Sequence, residues 1–215
     1  MSDQQQSVKE ILVLDNLNEK MYKYRLEEKQ WTTEIFYKNK YFTSFYYGMF
    51  EADKFLYVVN SEGILNTSPG RGFYKFPSFE KRSKTFKTYK FKKQILVFSH
   101  SHSREIKSNI FDLTQKKWKR LNIKLNRSLF YAVEYLNKIW MIGGLEHVDE
   151  SSINTTEIYD PTTDIQHLSP IKLIQARYNH RAIVYQQKLY VFAGSDGNGY
   201  LTLLNCFHQL QTNLL

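Results

Sequence analysis

The chain is poor in several features that mark particular classes of protein. It contains one cysteine, Cys206, which excludes an internal disulfide framework. No apolar run approaches the roughly 20 residues that a helix needs to cross a bilayer, so we expect no membrane span. The opening residues MSDQQQSVKE lack the basic and then apolar segments of a secretory signal. The expected compartment is therefore the cytoplasm.

Glycine and proline are scarce beside the residues that favour strands. The 215 residues include nine Gly and four Pro, against 16 Tyr and 15 Phe. Tyrosine and phenylalanine fit the half-buried surface of a sheet. Because 42% of the residues are hydrophobic, the chain can bury a substantial core. We expect an all-β domain whose hairpin loops are closed mainly by Asn, Asp and Ser.

An apolar strand recurs along the chain. The clearest copies are KIWMIGG (138–144) and KLYVFAG (188–194), fifty positions apart. The strand centres of the five copies are Leu12, Tyr57, Leu96, Trp140 and Tyr190. Their spacings of 45, 39, 44 and 50 residues are typical of a repeat architecture, whose repeated residues build the core and whose loops form a binding face.

A second pattern follows the repeated strand: an aromatic residue, six intervening residues and a second aromatic. It is complete at Tyr24 and Trp31 and at Phe111 and Trp118, whereas Tyr159 lacks its second aromatic. The polar residues between the aromatics predict a β-turn, so the two rings should pack across adjacent antiparallel strands. Each unit then becomes a four-stranded antiparallel meander.

Together these features resemble the kelch repeat, which has an Arg-x-x-His opening, a Gly-Gly strand end, and Tyr-Asp-Pro followed by Trp. The matching positions are Arg177, His180, Gly143, Gly144, Tyr159, Asp160, Pro161 and Trp118. The resemblance implies a β-propeller of four-stranded blades, here partial, with about four to five blades and no obvious closure. It also implies structural roles at Gly194, Tyr24, Trp31, Phe111, Trp140, Tyr190 and His180.

The expected organisation is a disordered stretch at 1–7 and a propeller at 8–215. Its approximate units are 8–40, 41–82, 83–124, 125–172 and 173–215. The first unit offers strands two to four and the last offers strands one to three, so the two ends overlap. We expect a fragment of a longer propeller, the alternative being an open arc that needs a partner.

The aromatic spacing between residues 71 and 93 fits two registers. We expect Phe86–Phe91 to be the first, inner strand of its unit. Phe73–Phe76 is then predicted to be the third strand of the preceding unit.

Basic residues are concentrated between Arg71 and Arg127. This region has seventeen Lys or Arg against three acids, a net charge of +14, whereas the whole chain carries +9. One interpretation is solvated strand faces, as in TFKTYKFKK with Lys87 and Lys90 around Tyr89. The others are a surface for an acidic protein partner and a surface for nucleic acid.

The resemblance implies a protein-interaction module that binds a partner protein or peptide through its loop face. Comparable proteins are ubiquitin-ligase adaptors and cytoskeletal linkers. The candidate partner-binding residues are Arg127, Tyr131, Arg177, Tyr178 and Arg181. For Arg127 and Arg177 the alternative is a structural role, in which the guanidinium groups tie neighbouring blades through backbone carbonyls.

We expect no catalytic residue, no cofactor and no metal, since His100 and His102 are too few ligands for a metal site. Two alternatives to protein binding stay open. One is polyanion or nucleic-acid binding through the basic region 71–127. The other is a kelch-like oxidase-type enzyme.

Overall fold

Antiparallel β-strands make up all the regular structure of the described residues. The computed structural model describes residues 10–15, 20–35, 46–52, 55–60, 63–66, 73–75, 85–100, 106–202 and 205–207. Within these ranges no helix is present, and hence none that could cross a membrane. The all-β expectation is confirmed. The stretch 1–7, predicted to be disordered, lies outside the described residues.

Five main sheets follow one another along the chain, each with its strands in sequence order. Sheet I contains β1 (Glu10–Asp15), β2 (Lys20–Arg25) and β3 (Gln30–Ile35). Sheet II contains β4 (Tyr46–Ala52), β5 (Phe55–Asn60), β6 (Gly63–Asn66) and β7 (Phe73–Lys75). Sheet III contains β8 (Thr85–Phe91), β9 (Gln94–His100), β10 (Ile106–Asp112) and β11 (Lys117–Leu121).

The fourth and fifth sheets continue this order. Before sheet IV comes β12 (Arg127–Ser128), which pairs with β15 (Leu145–Glu146). Sheet IV contains β13 (Tyr131–Tyr135), β14 (Lys138–Ile142), β16 (Thr156–Asp160) and β17 (Ile165–Leu168). Sheet V contains β18 (Arg181–Tyr185), β19 (Lys188–Phe192) and β20 (Asn205–Phe207). The expected four-stranded meander is therefore present in sheets II, III and IV.

The aromatic pairs lie where the spacing predicts. Tyr24 faces Trp31 across β2 and β3, with ring centroids 5.0 Å apart. Phe111 faces Trp118 across β10 and β11 at 4.8 Å. Such cross-strand aromatic pairs contribute about 0.5–1.5 kcal/mol beyond the area they bury. The prediction that these rings pack across a turn is confirmed.

The strand prediction for residues 71–93 is half correct. The segment Phe86–Phe91 lies in β8, which is the first strand of sheet III, as expected. The segment at Phe73, however, forms β7, the fourth strand of sheet II and not the third. The third strand is the short β6, which follows β5 closely and pairs with both neighbours. Its four residues are too short to show a strand pattern in the sequence.

Tight turns join the first two strands of sheets IV and V. Leu136 and Asn137 both have positive φ, 52° and 59°, and so do Gln186 and Gln187, 47° and 58°. Two consecutive positive φ angles match the twist of a two-residue hairpin. Asparagine is the expected residue type at such positions, whereas Leu and Gln adopt this conformation only because the flanking strands hold them there.

Sheets II to V pack face to face through three apolar clusters. Sheets II and III bury Tyr57, Val59, Ile95, Val97 and Phe111. Sheets III and IV bury Leu96, Phe98, Ala132, Ile139 and Met141. Sheets IV and V bury Trp140, Ile142, Ala182, Leu189 and Val191. Because successive residues of a strand point to opposite faces, one strand such as β9 supplies both the preceding and the following contact.

The outer face of sheet V is apolar and exposed. Ile183 and Tyr185 are each 53% exposed and Phe192 is 39% exposed. Fifty residues earlier the equivalent Tyr135 and Ile142 are buried, because sheet V covers them. The two sheets thus share a pattern and differ in what packs against them.

The Gly-Gly pair ends β14 where two backbones approach closely. Gly143 and Gly144 have φ of 54° and 114°. A Cβ on Gly143 would lie 2.5 Å from the Arg177 carbonyl oxygen, and one on Gly144 would lie 2.5 Å from that of Ser128. Glycine is required here both for its positive φ and for its missing side chain.

We predict that Gly144→Ala destabilises the fold strongly and that Gly197→Ala is the matched control. Gly197 also has positive φ, 99°, but a Cβ there meets nothing within 4 Å. Backbone strain alone should cost about 1–2 kcal/mol at either position. The clash at Gly144 should add about 1–3 kcal/mol. Chemical denaturation measures the difference, and equal losses for the two variants would contradict the close approach.

Candidate functional site

The first strands of sheets III, IV and V lie side by side. Each of them carries a side chain at the same position of the repeat. β13 lies next to both β8 and β18. The three hairpins share the same register, so Lys87, Tyr131 and Arg181 occupy equivalent places near the start of each strand. With Tyr89 of β8 these residues form a group that we term the first-strand cluster.

Lys87 and Tyr89 are held by one backbone carbonyl. The Lys87 Nζ donates to the Phe130 oxygen at 3.2 Å, and the Tyr89 hydroxyl donates to the same oxygen at 3.1 Å. Both side chains lie on the face of β8 that packs against sheet IV, Tyr89 being buried and Lys87 half-buried. Burial of the Tyr89 hydroxyl raises its pKa well above the usual range. The phenol is therefore a neutral hydrogen-bond donor here.

Tyr131 lies between Tyr89 and Arg181. Its ring meets the Tyr89 ring edge to face, with centroids 5.1 Å apart. The Arg181 guanidinium carbon lies 5.8 Å from the centroid of the Tyr131 ring, within cation–π range. Arg181 is exposed and also donates to the His180 carbonyl oxygen at 3.1 Å. Within the described residues the other N–H groups of its guanidinium form no hydrogen bond.

The cluster contains two cations, Lys87 and Arg181, and neither forms an ion pair with a described carboxylate. Burial, together with repulsion from Arg181, lowers the pKa of Lys87 to about 8. A partly desolvated ammonium without a counter-charge is unfavourable, and an arriving anion would relieve that cost.

Arg127, one of the candidate partner-binding residues, is buried and bonds to the protein itself. It is 6% exposed. Its Nη1 donates to the carbonyl oxygens of Gly143 at 3.1 Å and Thr155 at 2.9 Å. Its Nη2 donates to Thr155 Oγ1 at 3.0 Å and pairs with Glu157 Oε1 at 2.7 Å. The guanidinium group therefore has a structural role, but it ties the ends of β14 and β16 within sheet IV, whereas the structural alternative expected a tie between neighbouring blades.

Arg177, fifty residues later, binds the equivalent backbone carbonyl group. It is 0% exposed, and its Nη1 donates to the Ala193 carbonyl oxygen at 2.9 Å. Ala193 is the repeat equivalent of Gly143 and has a positive φ of 58°. Tyr178 is half-buried, and its backbone exchanges two hydrogen bonds with Ser195 at 2.9 and 3.0 Å. Of the five candidates, the structure brings together Tyr131 and Arg181.

Lys87 and Tyr89 were missed as site residues because TFKTYKFKK was interpreted as an alternating, solvated strand. Lys90 is exposed, but Lys87 lies on the opposite face and is half-buried, so the interpretation is wrong for Lys87. Two residues three apart on a strand cannot share a face. The repeat register contained the signal: counting back 50 positions from Arg181 leads to Tyr131, and counting back 44 more leads to Lys87.

The SHSH segment contains His100 and His102, the two histidines considered as metal ligands. His102 and the side chain of His100 lie outside the described residues. Within the part of the chain that the structure describes, no group of three or more His, Cys, Asp or Glu side chains could hold a metal ion.

Comparison with known proteins assigns no family to the chain. No protein-family model and no curated protein matches it. Among solved structures, the chain is similar to the one described as "Structure of YjhT", with 18% sequence identity and a TM-score of 0.48. The similarity covers 57% of this chain and 37% of that chain, so the chain spans well under two thirds of the length of that structure.

We predict that Arg127→Met costs about 3–5 kcal/mol of folding free energy. The change leaves the half-buried Glu157 without its ion pair and two carbonyl groups without their hydrogen-bond donor. The double variant Arg127→Met/Glu157→Gln should recover part of that loss. Arg181→Met, an exposed change of the same kind, should stay within about 0.5 kcal/mol. Denaturant unfolding compares the three, and a mild Arg127→Met would contradict the structural role.

We predict that His180→Phe reduces the sensitivity of the fold to acid. Burial, together with the Arg177, Lys87 and Arg181 cations, lowers the pKa of His180 to about 3. Between pH 6.5 and 3 the unfolded chain binds a proton that the folded chain excludes, so stability falls as the pH falls through this window. Phenylalanine stands at the equivalent position 130.

The measurement is the unfolding free energy of both proteins at pH 7 and pH 4.5. The wild type should lose about 2 kcal/mol more than His180→Phe over this interval. Equal losses would show that the imidazole is protonated in the folded protein.

Proposed function

We propose that this chain is a kelch-like β-propeller module that binds an acidic segment of a partner protein, and that it works by binding and not by catalysis. The observation that carries the proposal is the first-strand cluster. There Lys87 and Arg181 lie beside two tyrosines, and no carboxylate of the described residues pairs with either cation.

The sheet contacts support the propeller. Sheets II to V pack face to face in chain order, and their first strands β4, β8, β13 and β18 are neighbours in the same order. Four-stranded meanders that meet along their first strands are the units of a propeller. In a propeller, equivalent side chains of successive first strands lie at one mouth of the central channel. The first-strand cluster would lie at that mouth.

The chemistry of the cluster suits a carboxylate on a peptide. The planar guanidinium of Arg181 can bind both oxygens of one carboxylate, and Lys87 adds a point charge with three donors. The rings of Tyr89 and Tyr131 offer rigid contact surface at low entropic cost. A module of this kind selects a target while other domains act on it, as expected for an adaptor or a cytoskeletal linker.

The test compares Lys87→Met with Lys90→Met. Both changes remove one lysine charge from β8, but Lys90 is exposed on the opposite face. The probe is a fluorescein-labelled peptide with four glutamates in a Gly-Ser background, and affinity is read by anisotropy. Lys87→Met and Arg181→Met should each weaken binding roughly 10- to 100-fold, since a charge-assisted hydrogen bond is worth about 1.5–3 kcal/mol. Lys90→Met should change it by less than about threefold.

The pH dependence gives a second readout of the same binding. A bound carboxylate favours the charged ammonium, so the pKa of Lys87 should rise from about 8 on binding. Affinity should then weaken as the pH rises above 8, and the complex should take up protons near that pH. Lys87→Met should lose this dependence.

The nucleic-acid alternative predicts a different pattern. An oligonucleotide would bind through many phosphates, with affinity falling steeply with salt and with Lys87→Met and Lys90→Met weakening it equally. If the oligonucleotide shows that pattern and the glutamate peptide shows no dependence on Lys87, the proposal is wrong.

A further inference from the structure

A pocket of about 390 Å³ adjoins the first-strand cluster, and Lys87 lines it. The pocket lies between sheet III and two segments of the chain, one that precedes β13 and one that follows β14. A volume of this size is at the low end of the roughly 300–1,000 Å³ of ligand pockets. It is large enough for one bulky side chain with some backbone, and it opens next to the ammonium that is proposed to hold an acidic residue.

Five of the eleven residues that line the pocket are apolar. They are Phe98, Ile106, Leu129, Phe130 and Leu145. The Leu129 backbone has a φ of 51°, and its carbonyl oxygen accepts a hydrogen bond from the Asn179 amide at 3.0 Å. Phe98 packs on the ring of Phe130 at 5.0 Å, edge to face. The wall is therefore formed by strands and fixed backbone and exists before any ligand arrives.

Charge in the pocket is distributed unevenly. Lys87 is the one lysine or arginine among the lining residues, whereas Glu146 and Glu150 are the two acids. Glu146 accepts a hydrogen bond from Asn126 Nδ2 at 2.6 Å, and neither acid forms an ion pair with Lys87. An anion is attracted at Lys87 and repelled by the two carboxylates. An uncharged apolar group suits the space beyond Lys87, since it meets apolar walls and brings no charge near the carboxylates.

We infer that the bound segment carries a bulky apolar side chain close to its acidic residue, and that this pocket receives it while Lys87 and Arg181 hold the acid. The recognised motif is thus an acidic residue with a Phe- or Leu-sized neighbour in an otherwise extended peptide. This inference rests on the proposed function, because it uses the same bound segment and adds to its specificity.

The experiment uses the full chain and an array of acetylated, amidated peptides. Each peptide has a Gly-Ser background and a central Glu-Glu pair, with Phe or Ala placed at each of three positions on either side. A second array replaces Glu-Glu with Gln-Gln. We expect at least one Phe position to bind tenfold or more tightly than its Ala counterpart, and only when the glutamates are present.

Two variants fill the pocket and leave the cluster intact. Leu145→Trp and Ser128→Phe change half-buried lining residues that do not contact Lys87 or Arg181 through any hydrogen bond. Each variant that keeps the melting temperature of the wild type should lose the Phe preference and keep the requirement for glutamate. A Phe preference that survives in both would overturn the assignment to this pocket.

The outcomes separate the two proposals. Glutamate-dependent binding with no Phe position better than Ala by more than about threefold would overturn the inference and leave the proposed function standing. Binding that ignores the change from Glu to Gln, or that is unaffected by Arg181→Met, would overturn the proposed function and the inference with it.

Discussion

Face-to-face burial of strand faces is the constraint on which the rest of this structure depends. Each strand sends alternate side chains to two sides, so sheets II to IV each pack a face against the sheet that follows. A side chain buried in this way contributes about 1.5–3 kcal/mol. The packing brings β8, β13 and β18 side by side. As a consequence, side chains that are 44 and 50 residues apart in the chain become neighbours in space.

The same constraint explains why some charged residues are structural and others are available. Arg127 and Arg177 precede the first strands and donate to carbonyl oxygens at equivalent strand ends, Gly143 and Ala193. These carbonyl groups lie where the backbone leaves the sheet with positive φ, and the guanidinium groups supply hydrogen-bond donors to them. Arg181 lies four residues after Arg177, at the exposed start of β18, and its guanidinium meets the Tyr131 ring instead. Position relative to the strand start, and not residue type, separates the two roles.

Much of the fold could be predicted from local patterns. The six-residue gap between aromatics set the pairing of Phe111 with Trp118, because a turn of that length leaves little choice of register. The interval between apolar strands likewise predicted β8 as a first strand. The short strand β6 could not be predicted, since four residues carry too little pattern, and the segment at Phe73 was assigned one strand too early as a result. The site was half predicted, with Tyr131 and Arg181 included and Lys87 taken as solvated.

The sequence by itself determined that this chain is all-β and which residues are equivalent from one repeat to the next. Those properties depend on the alternation of side chains along a strand, which acts over a few residues. Only the tertiary structure decided which lysine of β8 faces the next sheet and that Lys87, Tyr131 and Arg181 lie near one another. The reason is physical: contacts between sheets depend on the residues of two distant segments at once, and no local pattern contains both.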